Sequence, residues 1–338
     1  MKKILIISPN WLGDLVMAQS LFIELKKQHK NCRIHLLGAS WTHSLATRMP
    51  EISKHIIFEN KQKKLSLKKR WLLAKQLQKE KYDLAIILPL SVKAALIPWL
   101  AKIPKRRGWH YKAWLIKNRF GLLNEYAAYP KDFKQVELYH SLHRSPFKRG
   151  PYPLPHLQTN EENTQSLQKK YAINPTQPSL IICPGAAYGP TKQWPSDYFT
   201  QVASHFIEKK WLIILIGAKK ETQLCQIIET TIANKRCLNL CNKTHLDDVI
   251  DLLSSSTIIL SNDSGLMHVA AAIKKRQIAI YGSSSPKFTP PLNTKASIQT
   301  LNLECSPCFK KKCPLTHYDC LKKLKPSKII SEIEKKVS

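Results

Sequence analysis

Acidic residues are scarce in this chain: 23 Asp and Glu stand against 54 Lys and Arg in 338 residues, a formal net charge of +31. Long apolar runs are missing as well. The start, Met1-Lys-Lys-Ile-Leu-Ile-Ile-Ser8, offers four apolar residues before it breaks, too few for a signal-peptide core. The longest apolar stretch, Leu84–Ala101, is interrupted by Pro89, Lys93 and Pro98, which fits a strand, a turn and a short helix rather than a membrane span. A cytosolic protein is expected. Neither Gly-x-Gly-x-x-Gly nor Gly-Lys-Ser/Thr occurs, which argues against a dehydrogenase or a P-loop NTPase. No Asp-x-Asp pair suggests a bound divalent ion, and neither a metal nor a cofactor is expected for catalysis.

What is present describes a globular α/β protein. With 43% hydrophobic residues, 338 residues suffice for two domains, each with its own core. The positive charge is uneven: residues 1–150 hold 30 Lys and Arg against 9 Asp and Glu, a net of +21. Residues 151–338 hold 24 against 14, a net of +10. Basic clusters at Lys61–Arg70, Lys102–Arg107 and Lys112–Arg119 lie close to Trp71, Trp99, Trp109, Tyr111 and Trp114. Such a charge asks for a polyanionic partner: nucleic acid, an anionic membrane surface or a phosphorylated glycolipid.

The hydrophobic pattern alternates strand and helix twice over. In the first half, Lys3–Ser8, Arg33–Gly38, Ile56–Phe58 and Tyr82–Pro89 read as strands, with helices over Leu15–His29 and Leu67–Glu80. Pro146, Pro151, Pro153 and Pro155, followed by the polar Thr159–Thr164, read as an interdomain connection. The second half gives strands at Ser179–Cys183, Trp211–Ile216, Cys237–Asn239, Thr257–Leu260 and Gln277–Tyr281. Its helices fall at Pro195–Lys209, Thr222–Ala233, His245–Ser254, Leu266–Ile273 and Pro326–Val337. The expected architecture is two Rossmann-like doubly wound domains facing a cleft, residues 1–155 and 165–325, with a terminal helix over 326–338.

Three segments carry the chemistry, each on a strand-to-helix turn, where open α/β sheets bind ligands and free helix N–H groups favour phosphate. Ser261-Asn-Asp-Ser-Gly-Leu-Met-His268 follows a buried strand and opens a helix, gathering Asp263, Ser264, Gly265, Leu266, Met267 and His268 around a ligand. Ser8-Pro-Asn-Trp-Leu-Gly-Asp14 ends the first strand, and Asp14 suits a general base for an acceptor hydroxyl, with Trp11 and Gly13 beside it. On position alone a plain N-cap aspartate accounts for Asp14 equally well. Cys183-Pro-Gly-Ala-Ala-Tyr-Gly-Pro-Thr-Lys-Gln-Trp-Pro195 contributes Gly185 and Gly189 for close backbone approach and Lys192 as a point charge for phosphate.

Taken in order and spacing, PNWLGDLVMAQSL, PGAAYGPTKQWP and SNDSGLMHVAAA resemble the lipopolysaccharide heptosyltransferases of glycosyltransferase family 9. The likeness runs along nearly the whole chain, including the cysteine-rich CSPCFKKKCPLTHYDCL. It implies a two-lobed B-type glycosyltransferase that moves heptose from ADP-heptose to a phosphorylated lipid A-core glycolipid, with the first heptose of the inner core as the leading acceptor. It implies work at the cytoplasmic face of the inner membrane, as a peripheral protein with no nucleic-acid partner. By the same resemblance Asp14 is the catalytic aspartate, Lys192 lies near the donor phosphates, and Asp263, Ser264, Gly265, Leu266 and His268 form the donor-binding turn. Glu221 falls near the acidic nucleoside contact. Where relatives carry hydroxyl residues before the lysine, this chain has Ala187 and Tyr188, leaving Thr191 as a substitute. The implied reaction is a direct inverting displacement, with Lys192 and the amides of Ser264–Met267 taking up the charge of the leaving diphosphate.

Two alternatives stay open from residues alone: a sister heptosyltransferase with another acceptor, and a non-catalytic nucleic-acid-binding protein. For the latter, no RNA-binding aromatic signature or helix-turn-helix pattern stands out. Nine cysteines without a secretion signal read as thiols. Cys305, Cys308, Cys313 and Cys320, with His317 among them, have the ligand types of a zinc site but not the paired spacing of a zinc ribbon.

Overall fold

The structure, a computed structural model, describes residues 2–59, 66–110 and 121–338. Lys61, Lys63 and Lys64 of the first basic cluster, the whole Lys112–Arg119 cluster, Tyr111 and Trp114 lie outside the described residues. The chain divides into two units, Met1–Pro155 and His156–Ser338.

In the first unit the strands are β1 (Lys3–Ile7), β2 (Arg33–Gly38), β3 (Ile52–Ile57), β4 (Leu84–Ile87), β5 (Lys105–His110) and β6 (Glu125–Ala128). Its helices are α1 (Leu12–Gln28), α2 (His43–Thr47), α3 (Leu67–Lys79), α4 (Val92–Leu100) and α5 (Gln135–Ser141). The second unit carries β7 (Ser179–Cys183), β8 (Leu212–Leu215), β9 (Cys237–Asn239), β10 (Ile258–Asn262), β11 (Gln277–Ile280) and β12 (Ala296–Gln299). Around them run α6 (Glu161–Lys170), α7 (Ser196–Glu208), α8 (Thr222–Ile232), α9 (Leu246–Ser255), α10 (Gly265–Ala272), α11 (Asp319–Lys322) and α12 (Pro326–Val337).

Both sheets are parallel throughout, in the orders β3-β2-β1-β4-β5-β6 and β12-β11-β10-β7-β8-β9. Counted within its own unit, each has the order 3-2-1-4-5-6, so the chain builds the doubly wound fold twice. Parallel strands covered on both faces need apolar residues at every position rather than at every second one. The central strands comply: every residue of β4, β7, β10 and β11 is buried. Each fully buried Leu or Ile contributes roughly 1.5–3 kcal/mol relative to exposure, so these strands anchor both cores.

Several elements escaped the hydrophobic pattern, and for four of them the physical reason is plain. β5 reads as a basic run, yet Arg107 is buried and pairs across the sheet with Glu125 of β6, its Nε 2.7 Å from Oε2. The polar stretch expected to be a linker is α6 instead. Asn160 caps it by accepting from the Asn163 amide at 3.1 Å, and both asparagines donate to the fully buried Asp251 of α9 at 2.8 Å. Polar contacts, not an apolar stripe, hold this helix down. Short α5 packs against α1 and β12 lies on the sheet edge; both are too brief for a period to show. The terminal α12 belongs to the core of the second unit, where Ile329 and Ile333 are fully buried beside Phe206 and Val202 of α7.

Candidate active site

Doubly wound sheets place ligands beyond the carboxyl ends of the strands where the strand order reverses. In the second unit that point lies between β7 and β10. Cys183 and Ser261 are paired in register near the two strand ends. One buried side chain fastens the loops that leave them: Asn262 donates from Nδ2 to the Pro184 carbonyl at 2.7 Å and accepts from the Trp194 amide at 3.1 Å. Trp194 is itself buried, its indole donating to the Leu324 carbonyl at 2.9 Å. Asn262 lies within the SNDSG motif and yet drew no role from sequence, because nothing local reveals that its amide reaches another loop.

Lys192 and Asp263 are brought together here. The Lys192 ammonium lies 2.5 Å from Asp263 Oδ2, and the same oxygen accepts from the Ser284 hydroxyl. Asp263 is nearly inaccessible, its side chain 4% exposed, whereas that of Lys192 keeps 17%. The ammonium is therefore the solvent-facing end of a charge pair built into the turn. Tyr188 lies beneath, its ring centroid 5.1 Å from the Lys192 ammonium and 5.7 Å from that of Lys311. Two cations thus lie within cation–π range of one ring.

The α10 amides open from the same turn. Ser264 is the N-cap in extended conformation, and its hydroxyl makes no capping bond, so the first-turn N–H groups are not claimed by that side chain. Gly265 and Leu266 begin the helix and are half-buried. Met267 departs from its expected place: its side chain is fully buried against Ala279 and Tyr281, and only its backbone is left to a ligand. His268 is buried beside the ion pair. Desolvation brings its pKa down to about 4, with Lys192 adding to the effect and Asp263 opposing it, so the imidazole is neutral at neutral pH.

The loop before Lys192 is held from an unexpected direction. Thr191, the candidate for a phosphate-binding hydroxyl, is buried and donates to the Lys310 carbonyl at 2.5 Å. Tyr188 donates to the Phe309 carbonyl at 2.7 Å. Gly189 has φ +149, a region L side chains rarely adopt, and an added Cβ would lie 2.8 Å from the Lys311 carbonyl. Two adjacent carbonyls of the cysteine-rich segment, those of Phe309 and Lys310, thus hold Tyr188 and Thr191, and the Lys311 carbonyl backs Gly189. That segment is anchored in turn by the Phe309 amide on the Ser283 carbonyl at 2.7 Å and the Ser306 hydroxyl on the Gly282 carbonyl at 2.6 Å. All four of its cysteines are free thiols, and among the described residues no group of three His, Cys, Asp or Glu is disposed to hold a metal ion.

Glu221 approaches from the β8 side. Its Oε2 accepts from the Ala218 amide at 2.9 Å, and a Cβ on Gly185 would fall 2.3 Å from its Cγ. The glycine is what admits this carboxylate to the loop.

In the first unit the reversal lies between β1 and β4, and Asp14 sits directly beyond β1. It is the third residue of α1, in its first turn; the N-cap is Trp11, so the plain N-cap explanation does not apply. Asp14 lines a cavity of about 280 Å³ together with Trp11, Ser91, Trp109, Tyr129, Gln135 and Tyr139. Trp11 is 52% exposed at its mouth, and Gly13 is buried under the turn. The buried Tyr139 hydroxyl is pushed well above its ordinary pKa, first by desolvation and then by the Asp14 carboxylate, so it stays a neutral hydrogen-bonding group there. Trp109, one of the aromatics close to the basic clusters, is buried and donates from its indole to the Leu138 carbonyl at 3.0 Å. Gln135, Tyr139 and Trp109 come from elements that sequence periodicity did not reveal.

Comparison with known proteins gives the family. Residues 70–319 match the model of glycosyltransferase family 9 (heptosyltransferase). The chain is 37% identical over 312 residues to lipooligosaccharide heptosyltransferase 2 of Haemophilus influenzae, covering 88% of each. It is 33% identical to lipopolysaccharide heptosyltransferase 2 of Salmonella typhimurium over 99% of both chains. Among solved structures, that of ADP-heptose lps heptosyltransferase II from E. coli superposes with a TM-score of 0.88 at 32% identity, covering 100% of this chain and 98% of that one. A duplicated doubly wound fold, a lysine–aspartate pair at one switch point and an aspartate at the other are thus features of a chain that belongs to glycosyltransferase family 9, the heptosyltransferases.

Proposed function

We propose that this chain transfers a heptose from ADP-heptose to the first heptose of a lipopolysaccharide inner core, adding the second. The observation that carries the reading is the Lys192–Asp263 pair at the β7/β10 switch point, within a chain similar to heptosyltransferases 2 over most of its length. In this reaction the acceptor hydroxyl gives its proton to Asp14 as its oxygen attacks the anomeric carbon. The bond from that carbon to the diphosphate oxygen breaks, and ADP departs with the electron pair. Lys192 and the amides of Ser264, Gly265, Leu266 and Met267 take up the developing charge. Glu221 receives the nucleoside, and neutral His268 and Asp263 fix the lysine. Trp11 and Gly13 shape the mouth in which the acceptor sugar lies.

The acceptor is lipid-borne and phosphorylated, which gives the basic surface a purpose other than nucleic acid. We place the enzyme as a peripheral protein on the cytoplasmic face of the inner membrane, where a lipid-borne acceptor would be met; among the described residues no helix is long and apolar enough to cross a membrane. The decisive experiment incubates the protein with ADP-heptose and core acceptors carrying no heptose or one heptose. Mass spectrometry should show one added heptose only on the latter. Transfer to the heptose-free acceptor instead would make it the sister enzyme, and no transfer to either would refute the assignment.

A further inference from the structure

The Asp14 cavity is not the largest hollow described on the first unit. A second one, of about 550 Å³, lies where α3 meets α4 and is lined by Trp71, Lys75, Gln78, Trp99, Lys102 and Arg106. Both tryptophans are open to solvent, Trp71 at 50% and Trp99 at 40%. Leu67 and Leu72 on α3 are exposed as well. Single exposed apolar residues need no explanation, but a cluster framed by charge does.

The frame is cationic. Residues 66–110 hold eight lysines and three arginines against only Glu80 and Asp83, and neither α3 nor α4 contains an acid. All eight lysines are exposed. The arginines serve the fold: Arg70 donates to the Lys93 carbonyl at 2.7 Å, Arg107 pairs with Glu125, and Arg106 binds the carbonyls of Ile103, Gly121 and Leu122. Glu80 is engaged by Lys3 and Lys54. On α3, Lys68 and Lys75 fall three before and four after Trp71, which puts them on its face of the helix. The Lys75 ammonium lies 5.5 Å from the Trp71 ring centroid. Gln78 donates to the Leu100 carbonyl at 2.9 Å, tying α3 to α4 and fixing the spacing of the two indoles.

We propose that this Trp71–Trp99 face is the surface by which the protein docks on an anionic lipid bilayer. Indoles prefer the headgroup zone, where one edge is apolar and the other wet, and lysines around them meet lipid phosphates. A second copy of the chain is a poor occupant, since it would bring a like-charged face. The inference builds on the acceptor being membrane-borne, but docking can be measured apart from transfer.

The test uses the full chain, sedimented with vesicles of phosphatidylglycerol and phosphatidylethanolamine or of phosphatidylcholine alone. Binding to the anionic vesicles should weaken with salt and be accompanied by a blue shift of tryptophan emission; phosphatidylcholine should bind little. The doubles Trp71→Ser/Trp99→Ser and Lys75→Glu/Lys102→Glu should each lose about tenfold or more in vesicle affinity. Lys235→Glu/Lys328→Glu, the same charge change in the second unit, should lose far less. Affinity for ADP and transfer to a lipid-free core oligosaccharide should be unchanged in both patch variants, while transfer to vesicle-embedded acceptor falls. Vesicle binding unaltered by both doubles overturns the proposal, as does loss of binding in the control equal to that in the patch variants. So does tight, saturable binding of nucleic acid that the patch substitutions abolish. Failure of the unmodified protein to transfer to the lipid-free acceptor, with vesicle binding intact and patch-dependent, counts against the transfer reaction alone and supports the docking surface.

Discussion

Lys192 and Asp263 hold each other at 2.5 Å, with the carboxylate buried and the ammonium reaching solvent. A diphosphate therefore meets a cation already oriented, and the aspartate behind it is neutralised. Lys192→Ala should weaken ADP binding by about tenfold or more, since a hydrogen bond to a charged group contributes about 1.5–3 kcal/mol, and should lower turnover. It should also lower the melting temperature, because Asp263 is left buried without its counter-charge. Exposed Lys68→Ala should change none of these. Calorimetry with ADP and a thermal melt check both halves; unchanged affinity together with unchanged turnover would remove Lys192 from the donor site.

Asp14 is assigned the acceptor proton. Asp14→Asn should cut turnover by roughly 100-fold or more while ADP affinity stays the same. As a first-turn helix acid its contribution to stability is only about 0.3–1 kcal/mol, so the fold should survive the change. Steady-state kinetics near the wild-type values would return Asp14 to a structural role.

His268 makes stability depend on pH in a definite window. Its folded pKa, about 4, lies below the ordinary 6.5, so between these values the unfolded chain binds a proton that the folded chain refuses. Stability from this group is full above pH 6.5 and is lost as pH falls toward 4, about 3 kcal/mol in all. Glu80, held down to about 2 by hydrogen bonds from Lys3 and Lys54, acts in the same direction but at lower pH. Thermal melts between pH 7 and 4 should thus flatten in His268→Gln. An unchanged slope would show that the imidazole is not kept neutral by its surroundings.

Glu221 and Gly185 should behave as one unit. Gly185→Ala places a methyl group into the Glu221 stem and should reduce ADP affinity about as much as Glu221→Ala does. The double variant should be no worse than either single, a coupling that a double-mutant cycle reads directly. Full additivity would mean that the glycine serves something other than the carboxylate.

How much of this was legible in the sequence depended on where the determining contacts lie. Strands buried on both faces, such as β7 and β10, announce themselves through unbroken apolar runs, and the three turns that follow strands carry their small polar residues locally. What escaped was set at a distance. β5 is disguised by Arg107, whose charge is cancelled only by Glu125 on the neighbouring strand. α6 is held by Asp251, some ninety residues on. The Asp14 cavity is walled by Trp109, Gln135 and Tyr139, from segments with no readable period. Thr191 looked available to phosphate until its hydroxyl was seen spent on Lys310. Lys61, Lys63 and Lys64, together with Lys112–Arg119, fall outside the described residues, so their share in the basic surface stays an expectation from sequence.

The hold of Phe309 and Lys310 on Tyr188 and Thr191 bears on how the protein matures. The first unit draws its core from residues 1–155 and has what it needs early in synthesis. The loop of residues 188–191 emerges at mid-chain, but the two carbonyls that hold it are made more than a hundred residues later. So are the Leu324 carbonyl that takes the Trp194 indole and the α12 isoleucines that close the core around it. A nascent chain passes through an interval in which Asp14 is in place while Lys192 hangs on an unfastened loop. With Lys192 in the donor role proposed above, competence to bind nucleotide arrives last, as translation finishes.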